Sequence, residues 1–550
     1  MDMASRRQDR TYVGTALGLG VLALGLHWAV IVFRAFDGLY GQDAFAYYDY
    51  AVQLRASLRQ GRWPPPFFWP VGYPALVAAL FPLVGVTPRA GQVVSSLAGA
   101  GVVLLCVGIV RRLLEQQGFR LGEARRVGLL AGLIALASGQ LWHWSLTVMA
   151  DTAALFWGAL AAWAAVRYGG SGRLRWVLLS AFALAWAVLT RWVYALLILP
   201  LGIYGLWAVR RYGRKALAHG LLGCVVGLSV LAPQAVLLRH SGHVPWRHPW
   251  LTGWSPGHAF RRTLETVDGH AEYPLPVALF YAKAFVSPRS LFPLWTPFWV
   301  LGLWTVFRHR WGRILALLGG WTAGMYGFLA GIPYENFRFA LALLPATAGL
   351  TAIGLYQSGG GLGSRGSGPE EGPGVERRGI RAFVLRVQGI GRRVLRPLGP
   401  TGRRRLVVGS LVVGGLGSLA YNGRVIDAFL DRKDADLAVA RWVERTVEPD
   451  ARVLAFGITL TLRYYTGLDV AELYTCTPQD LARLGEDGRP AYLVVPLADL
   501  ARQWRDRPPE RNYRWLRDGP GLLPVGSQGG YTLFRVGVSR ENAGPRRPGG

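Results

Sequence analysis

The sequence predicts a polytopic α-helical membrane protein of about eleven transmembrane helices with long outer loops, followed by a small C-terminal extracytoplasmic α/β domain. Three observations predict it. Apolar runs of 15–23 residues recur through the first 421 positions, long enough to cross a bilayer as helices. The connectors between them are strongly basic on one side of the implied membrane. From Asn422 onward the texture changes to short apolar strands alternating with amphipathic helices.

Composition excludes other classes. Hydrophobic residues make up 51% of the 550 residues and charged residues only 17%, with mean hydropathy +0.25. A soluble domain carries about 25% charged residues. The 22 tryptophans suit rings lining two membrane interfaces. The net charge of +29 raises the question of nucleic acid, and its location answers it. Of 61 Lys and Arg, 29 fall in segments assigned to the cytoplasm, 13 in outer segments, and 19 beyond Asn422 beside 17 acids. The excess is positive-inside bias, and no nucleic-acid recognition motif accompanies it. Cys106 and Cys224 lie inside apolar runs, so Cys476 has no partner within the C-terminal region. "MDMASRRQDR" is a basic flank without a convincing cleavage site after the run that follows, which reads as an uncleaved first membrane helix.

In chain order, the spans are placed at 13–33, 93–110, 127–142, 152–166, 176–190, 192–209, 216–238, 292–307, 314–330, 339–357 and 406–421. The connectors 111–126, 167–175, 210–215 and 308–313 are basic and fall on the side of the N-terminus. This puts the N-terminus in the cytoplasm and the C-terminal domain outside a plasma (inner) membrane. The run "VGYPALVAALFPLVGV" (71–86) contains Pro74 and Pro82, and counting it as a span would move 111–126 outside. It is expected as an interfacial helix in a long first outer loop, 34–92. "PLPVALFYAKAF" (274–285) plays the same part in a second, 239–291. Residues 1–357 thus form the transmembrane core. Residues 358–405 are a Gly- and Arg-rich cytoplasmic linker with basic and apolar residues at helical spacing, suited to anionic lipid. After the last span, 422–550 is expected to hold a helix at 435–446, strands at 452–457 and 491–496, and a mainly parallel sheet closed by "GGYTLFRVG".

The first 421 residues hold 15 acids, and none lies at a membrane midplane. A proton-driven pump is expected to carry one there, so chemistry at the outer face is favoured over transport through the core. Asp43 opens the helix "DAFAYYDYAVQLRASLRQG" and Asp151 opens the one after "WHWSLTVMA". Each reads as an N-cap, or as one of two carboxylates facing a common cavity. Such a pair can act as base and orienting partner, or share a divalent metal. Asp49, in mid-helix, reads as a solvated acid. Arg191, at a tight outer turn, reads as a snorkelling cation or a phosphate ligand. Arg338 reads as a local partner of Glu335 or a phosphate ligand. Lys283 is an interfacial anchor or a third phosphate ligand. Glu272, with His270 and Asp268, reads as a candidate substrate or metal ligand, although the spacing matches no metal motif.

Four stretches together resemble the C-type (GT-C) superfamily of polytopic glycosyltransferases that use polyprenyl-phosphate sugars, the group of the protein O-mannosyltransferases and lipid A aminoarabinose transferases. They are the acid–x–x–x–Tyr helix from Asp43 to Tyr47, "WPVGYPALVAALFPLVGVTPRAGQVVSSL" with Tyr73, "MADTAALFWGALAAWAAVR", and "ENFRFALALLPATAGL" with Glu335, Asn336 and Arg338. The C-terminal "VLAFG…LRYYTGLDVAEL" is similar to the extracytoplasmic domain of many members. The chain departs from the pattern in having a single acid in place of an Asp-Glu pair, "WPVGYP" in place of Glu-Lys-Pro, and Thr190-Arg191 where a Lys turn is expected. The resemblance implies sugar transfer from a polyprenyl phosphate, without a nucleotide sugar, to a lipid, glycan or protein acceptor. Asp43 would be the base and Asp151 its helper. Arg191, Lys283 and Arg338 would take the phosphate, Glu335, Asn336, Tyr73 and Glu272 are further substrate-binding candidates, and Tyr47 would belong to a wall beside sugar and lipid. Lipid or polysaccharide transport, and non-catalytic assembly, are the rival readings.

Overall fold

The computed structural model describes residues 3–240, 253–266, 269–359, 399–484 and 487–537. Most of the predicted 358–405 linker, and Asp268, lie outside the described residues. The N-terminal part runs α1 (Met3–Phe33), α2 (Gln42–Arg59), α3 (Gly72–Val84), α4 (Arg89–Gln116), α5 (Leu121–Leu136), α6 (Gly139–Leu146), α7 (Ala150–Ser171), α8 (Leu174–Thr190), α9 (Ile198–Tyr212) and α10 (Arg214–His240). A hairpin of β1 (Thr263–Thr266) and β2 (Gly269–Glu272) follows. Then come α11 (Val277–Ala282), α12 (Thr296–Arg308), α13 (Gly320–Gly331), α14 (Leu344–Ser358) and the 47-residue α15 (Pro400–Thr446).

Seven helices among the described residues are long and apolar enough to cross a membrane. The predicted span 127–142 is instead a pair, α5 and α6, bent by 58°, which makes an eighth if taken as one span. The break leaves backbone groups without helical partners, and side chains and loops satisfy them. The Ala137 carbonyl accepts from Ser418 Oγ at 2.6 Å, and Gln140 N–H donates to the Arg289 carbonyl at 2.7 Å. The segments 152–166, 176–190 and 292–307 lie in α7, α8 and α12, which fall short of that measure. On α10, Leu221 and Leu228 are 70% and 68% exposed, an apolar surface that suits contact with lipid. By contrast α7 and α14 are buried on nearly all sides, and the alanines of α7 let it pack closely on α4 and α8.

The run 71–86 forms the short helix α3, which falls short of the length needed to cross a bilayer. Its approach to α8 is close: a Cβ at Gly72 would lie 2.6 Å from the Leu189 carbonyl oxygen. A second core joins α2, α3 and the start of α7 through Tyr47, Tyr48, Tyr73, Val77, Val148 and Met149. Leu460 and Tyr465 of the C-terminal region pack against it.

Two expectations for the C-terminal region are corrected. The helix that holds the last span does not end at 421; it continues without a break as α15 to Thr446, so the separate helix expected at 435–446 is its final turns. The sheet is mixed, not mainly parallel. Its strands are β3 (Arg452–Ala455), β4 (Asp469–Glu472), β5 (Ala491–Val495), β6 (Leu522–Gln528) and β7 (Tyr531–Val536), in the order β4-β3-β5-β7-β6. β3 pairs in parallel with β4 and β5, whereas β7 runs antiparallel to both β5 and β6. Central β5 is buried at every position, as a strand covered on both faces must be. One face packs on Val439, Ala440 and Val443 of α15, the other on Leu481, Leu500 and Leu516.

Candidate active site

Asp43 and Asp151 each sit in the first turn of a helix, but neither is a cap. The N-cap positions are Gly41 and Met149, and no side chain caps either helix. Unpaired backbone N–H groups in a first turn favour negative charge there without a direct bond. Gly38, at φ +91°, sets the approach to α2, because a Cβ there would lie 2.6 Å from Gln92 Cγ. Gln92 Nε2 donates to the carbonyls of Phe36 and Leu146, both at 3.0 Å, tying the first outer loop to the segment before Asp151.

Between the two acids lies Arg338. Its Nη2 donates to Asp43 Oδ2 at 2.7 Å, and its Nε stands 3.7 Å from Asp151 Oδ2. Arg191 Nη2 donates to the same Asp151 oxygen at 2.9 Å. The result is a chain of alternating charges, Asp43–Arg338–Asp151–Arg191, with formal charge zero. Asp151 and Arg338 are buried, at 5% and 8% side-chain exposure, while Asp43 is 25% exposed. Arg338 is therefore not the local partner of Glu335, and Arg191 does not simply snorkel. Glu335 and Arg338 part because Asn336 N-caps the 3-10 helix Phe337–Leu343, its Oδ1 accepting from Arg338 N–H at 3.1 Å. Tyr281 OH donates to the Tyr334 carbonyl at 2.9 Å and accepts from Asn336 N–H at 3.2 Å, which fixes the turn that delivers Arg338.

The ion chain is walled by rings. The Arg338 guanidinium lies 5.5 Å from the Trp144 ring and 5.3 Å from Phe339, and Arg191 lies 5.4 Å from Phe339. Tyr47 is fully buried, with its ring 5.3 Å from Tyr73 and 5.8 Å from Phe67. Tyr73 OH is bonded to the Gly91 carbonyl and Ser95 Oγ, so it backs Tyr47 and does not face outward. Three buried polar atoms here have no hydrogen-bond partner among the described residues: Tyr47 OH, Arg191 Nε and Arg338 Nε. Burial pushes the Tyr47 phenol well above its usual range, so it stays a neutral donor. Unused donors on two arginines and a tyrosine suit an incoming oxyanion such as a phosphate.

The other candidates stand apart from this chain of charges. Both carboxylate oxygens of Glu335 are buried without a hydrogen-bond partner among the described residues. Burial raises its carboxyl to about 7, and the nearby charge of Lys283 opposes the rise. Lys283 itself lies over the Phe280 ring at 5.0 Å. Glu272 is exposed at the end of β2, in the hairpin that rests on Gln503 and Arg507 of the C-terminal region. Asp49 is half-buried, not solvated, and burial pushes its carboxyl up against the pull of Arg463. Among the described residues, no group of three or more His, Cys, Asp or Glu is placed to hold a metal ion.

Sequence reasoning missed Trp144, Met149 and Phe339, because an aromatic or Met on an apolar helix carries no sign that a guanidinium will rest on it. It also missed the part played by Asp37. That acid accepts from Lys433 of α15 and from Tyr465 of the C-terminal sheet domain. Phe45 and Tyr48, on either side of Tyr47, meet Tyr464 at ring distances of 5.7 and 6.0 Å. The helix that carries Asp43 is thus held from behind by the C-terminal domain.

Residues 69–236 match the family model described as dolichyl-phosphate-mannose-protein mannosyltransferase. No curated protein sequence matches the chain. The crystal structure of ArnT from Cupriavidus metallidurans bound to undecaprenyl phosphate is similar with TM-score 0.59 at 15% identity, over 96% of this chain and 98% of that one. The Archaeoglobus fulgidus oligosaccharyltransferase tethered to an acceptor peptide is similar with TM-score 0.52 at 11% identity, over 94% of this chain and 74% of that one. The chain therefore shares a stretch of sequence with the mannosyltransferase family and its fold with the GT-C membrane glycosyltransferases, the superfamily that its sequence resembles.

Proposed function

We propose that this chain is a membrane glycosyltransferase that moves a sugar from a polyprenyl-phosphate donor to an acceptor at the outer face of the membrane, with its N-terminus in the cytoplasm. The observation that carries the reading is Arg338 bound between Asp43 and Asp151, with buried donors left unused on Arg338, Arg191 and Tyr47. The similarity to a structure holding undecaprenyl phosphate supports the choice of donor. An acceptor hydroxyl attacks the anomeric carbon, and its proton passes to Asp43, the more exposed of the two acids. The bond from that carbon to the phosphate oxygen breaks, and polyprenyl phosphate leaves with the electron pair. Arg338 and Arg191 hold the growing negative charge, and the Tyr47 hydroxyl donates beside them. Asp151 keeps both guanidiniums in place. Direct displacement inverts the anomeric centre.

The test uses the full chain in lipid vesicles with a polyprenyl-phosphate sugar and a pool of lipid, glycan and peptide acceptors. Mass spectrometry should show polyprenyl phosphate released in step with a glycosylated product. Movement of the intact donor across the vesicle without cleavage would establish a transporter and overturn the reading.

A further inference from the structure

Positive-inside bias explains why the connectors 111–126, 167–175, 210–215 and 308–313 are basic. It does not require their arginines to meet. Yet Arg112, Arg167, Arg173, Arg211 and Arg313, drawn from all four, line one cavity of about 550 Å³. The cavity lies at the end of the bundle opposite the Asp43–Arg338 chain. On α7 alone, Arg167 is sixteen residues beyond Asp151, about 24 Å along the axis.

The charge there is poorly offset. The only acid in the lining is Glu115, and both its oxygens are taken, by Arg111 Nε at 2.6 Å and Arg112 Nη1 at 2.8 Å. Among the described residues, Arg313 and Arg211 donate only to neutral carbonyls, of Gln116 at 3.3 Å and Gly169 at 3.5 Å. The Arg167 guanidinium makes no hydrogen bond or ion pair among the described residues. It is held over the rings of Trp163 and Trp176, at 5.5 and 4.7 Å. Gathering like charges around one opening is unfavourable unless an anion joins them, and planar guanidinium forks match phosphate oxygens. The flanking helices offer the other half of a lipid's needs: Leu206 of α9 and Leu217 of α10 are 56% and 55% exposed. Tryptophans at this level suit a membrane interface.

We propose that this cavity binds the phosphate of an anionic phospholipid headgroup from the leaflet on the N-terminal side of the chain, a site separate from the transfer chemistry. The full-length protein, stripped of lipid in neutral detergent, is titrated with phosphatidylglycerol and with phosphatidylcholine, and retained adducts are counted by native mass spectrometry. A third arm adds millimolar inorganic phosphate. The cavity variant Arg167→Gln/Arg313→Gln is compared with Arg214→Gln/Arg308→Gln, which removes equal charge from exposed positions outside the lining. Wild type and the exposed variant should prefer phosphatidylglycerol, and the cavity variant should bind it about 30-fold more weakly. Arg167→Lys/Arg313→Lys keeps the charge but not the fork; it should weaken phosphatidylglycerol alone, and it carries the test if the Gln variant does not fold. Equal losses in the two Gln variants, or no preference over phosphatidylcholine, would overturn the site. Displacement of the lipid by inorganic phosphate would overturn its assignment to a headgroup.

Discussion

Replacing each acid of the ion chain by its amide separates proton acceptance from structural support. Asp151→Asn removes the carboxylate that faces two guanidiniums in a nearly dry setting. At 2.9 Å from Arg191 and an effective dielectric of about 20, the gross attraction is about 6 kcal/mol. Desolvation of both ions takes back much of it, so what is measured is the cost of stranding the partners, about 3–5 kcal/mol for a buried pair. Asp43 is 25% exposed and meets one guanidinium. The loss of its charge-assisted bond, discounted for solvent, is about 1 kcal/mol. Asp43→Asn should therefore insert, melt close to wild type in detergent and lack transfer, with donor binding retained. Asp151→Asn should melt clearly lower and lose transfer as well, because both arginines are freed. The assay pairs thermal unfolding with radiolabelled sugar transfer in vesicles. Normal turnover in a well-folded Asp43→Asn protein refutes the base assignment. Equal melting of the two variants refutes the buried clamp.

Three further outcomes are expected. Arg338→Lys keeps the charge but loses the fork that reaches two carboxylates, so transfer should fall about 10²–10³-fold, measured as initial rate at saturating donor. Glu335 has a folded value of about 7 against an ordinary 4.5, so the folded chain holds its proton more tightly. The stability this gives is present below pH 4.5, declines as pH rises to 7 and is gone above it; Glu335→Gln should remove that decline from a series of melting midpoints, and an unchanged slope would count against it. Asp37→Asn strands the buried Lys433 and loosens Tyr465, at a cost of about 3 kcal/mol, and should speed proteolytic release of the C-terminal domain.

Local pattern determined much of this protein. Apolar runs of bilayer length, the basic connectors and the Pro-interrupted α3 followed from residue order alone, because hydrophobic period and charge asymmetry are properties of adjacent residues. The strands 452–457 and 491–496 were legible for the same reason. The same local view grouped Asp43, Asp151, Arg191 and Arg338 at one end of the helices, and in the structure they meet in one chain of charges. It went wrong where a partner lay far away in sequence. Asp43 and Arg338 are 295 residues apart, so nearby Glu335 looked the better partner. Pairing direction in the sheet, the unbroken run of α15 and the bend between α5 and α6 likewise depend on what packs alongside. Tertiary structure alone decided which guanidinium each acid meets and which donors remain unused. Burial removes water as a competing partner, and only the folded chain sets where water is removed.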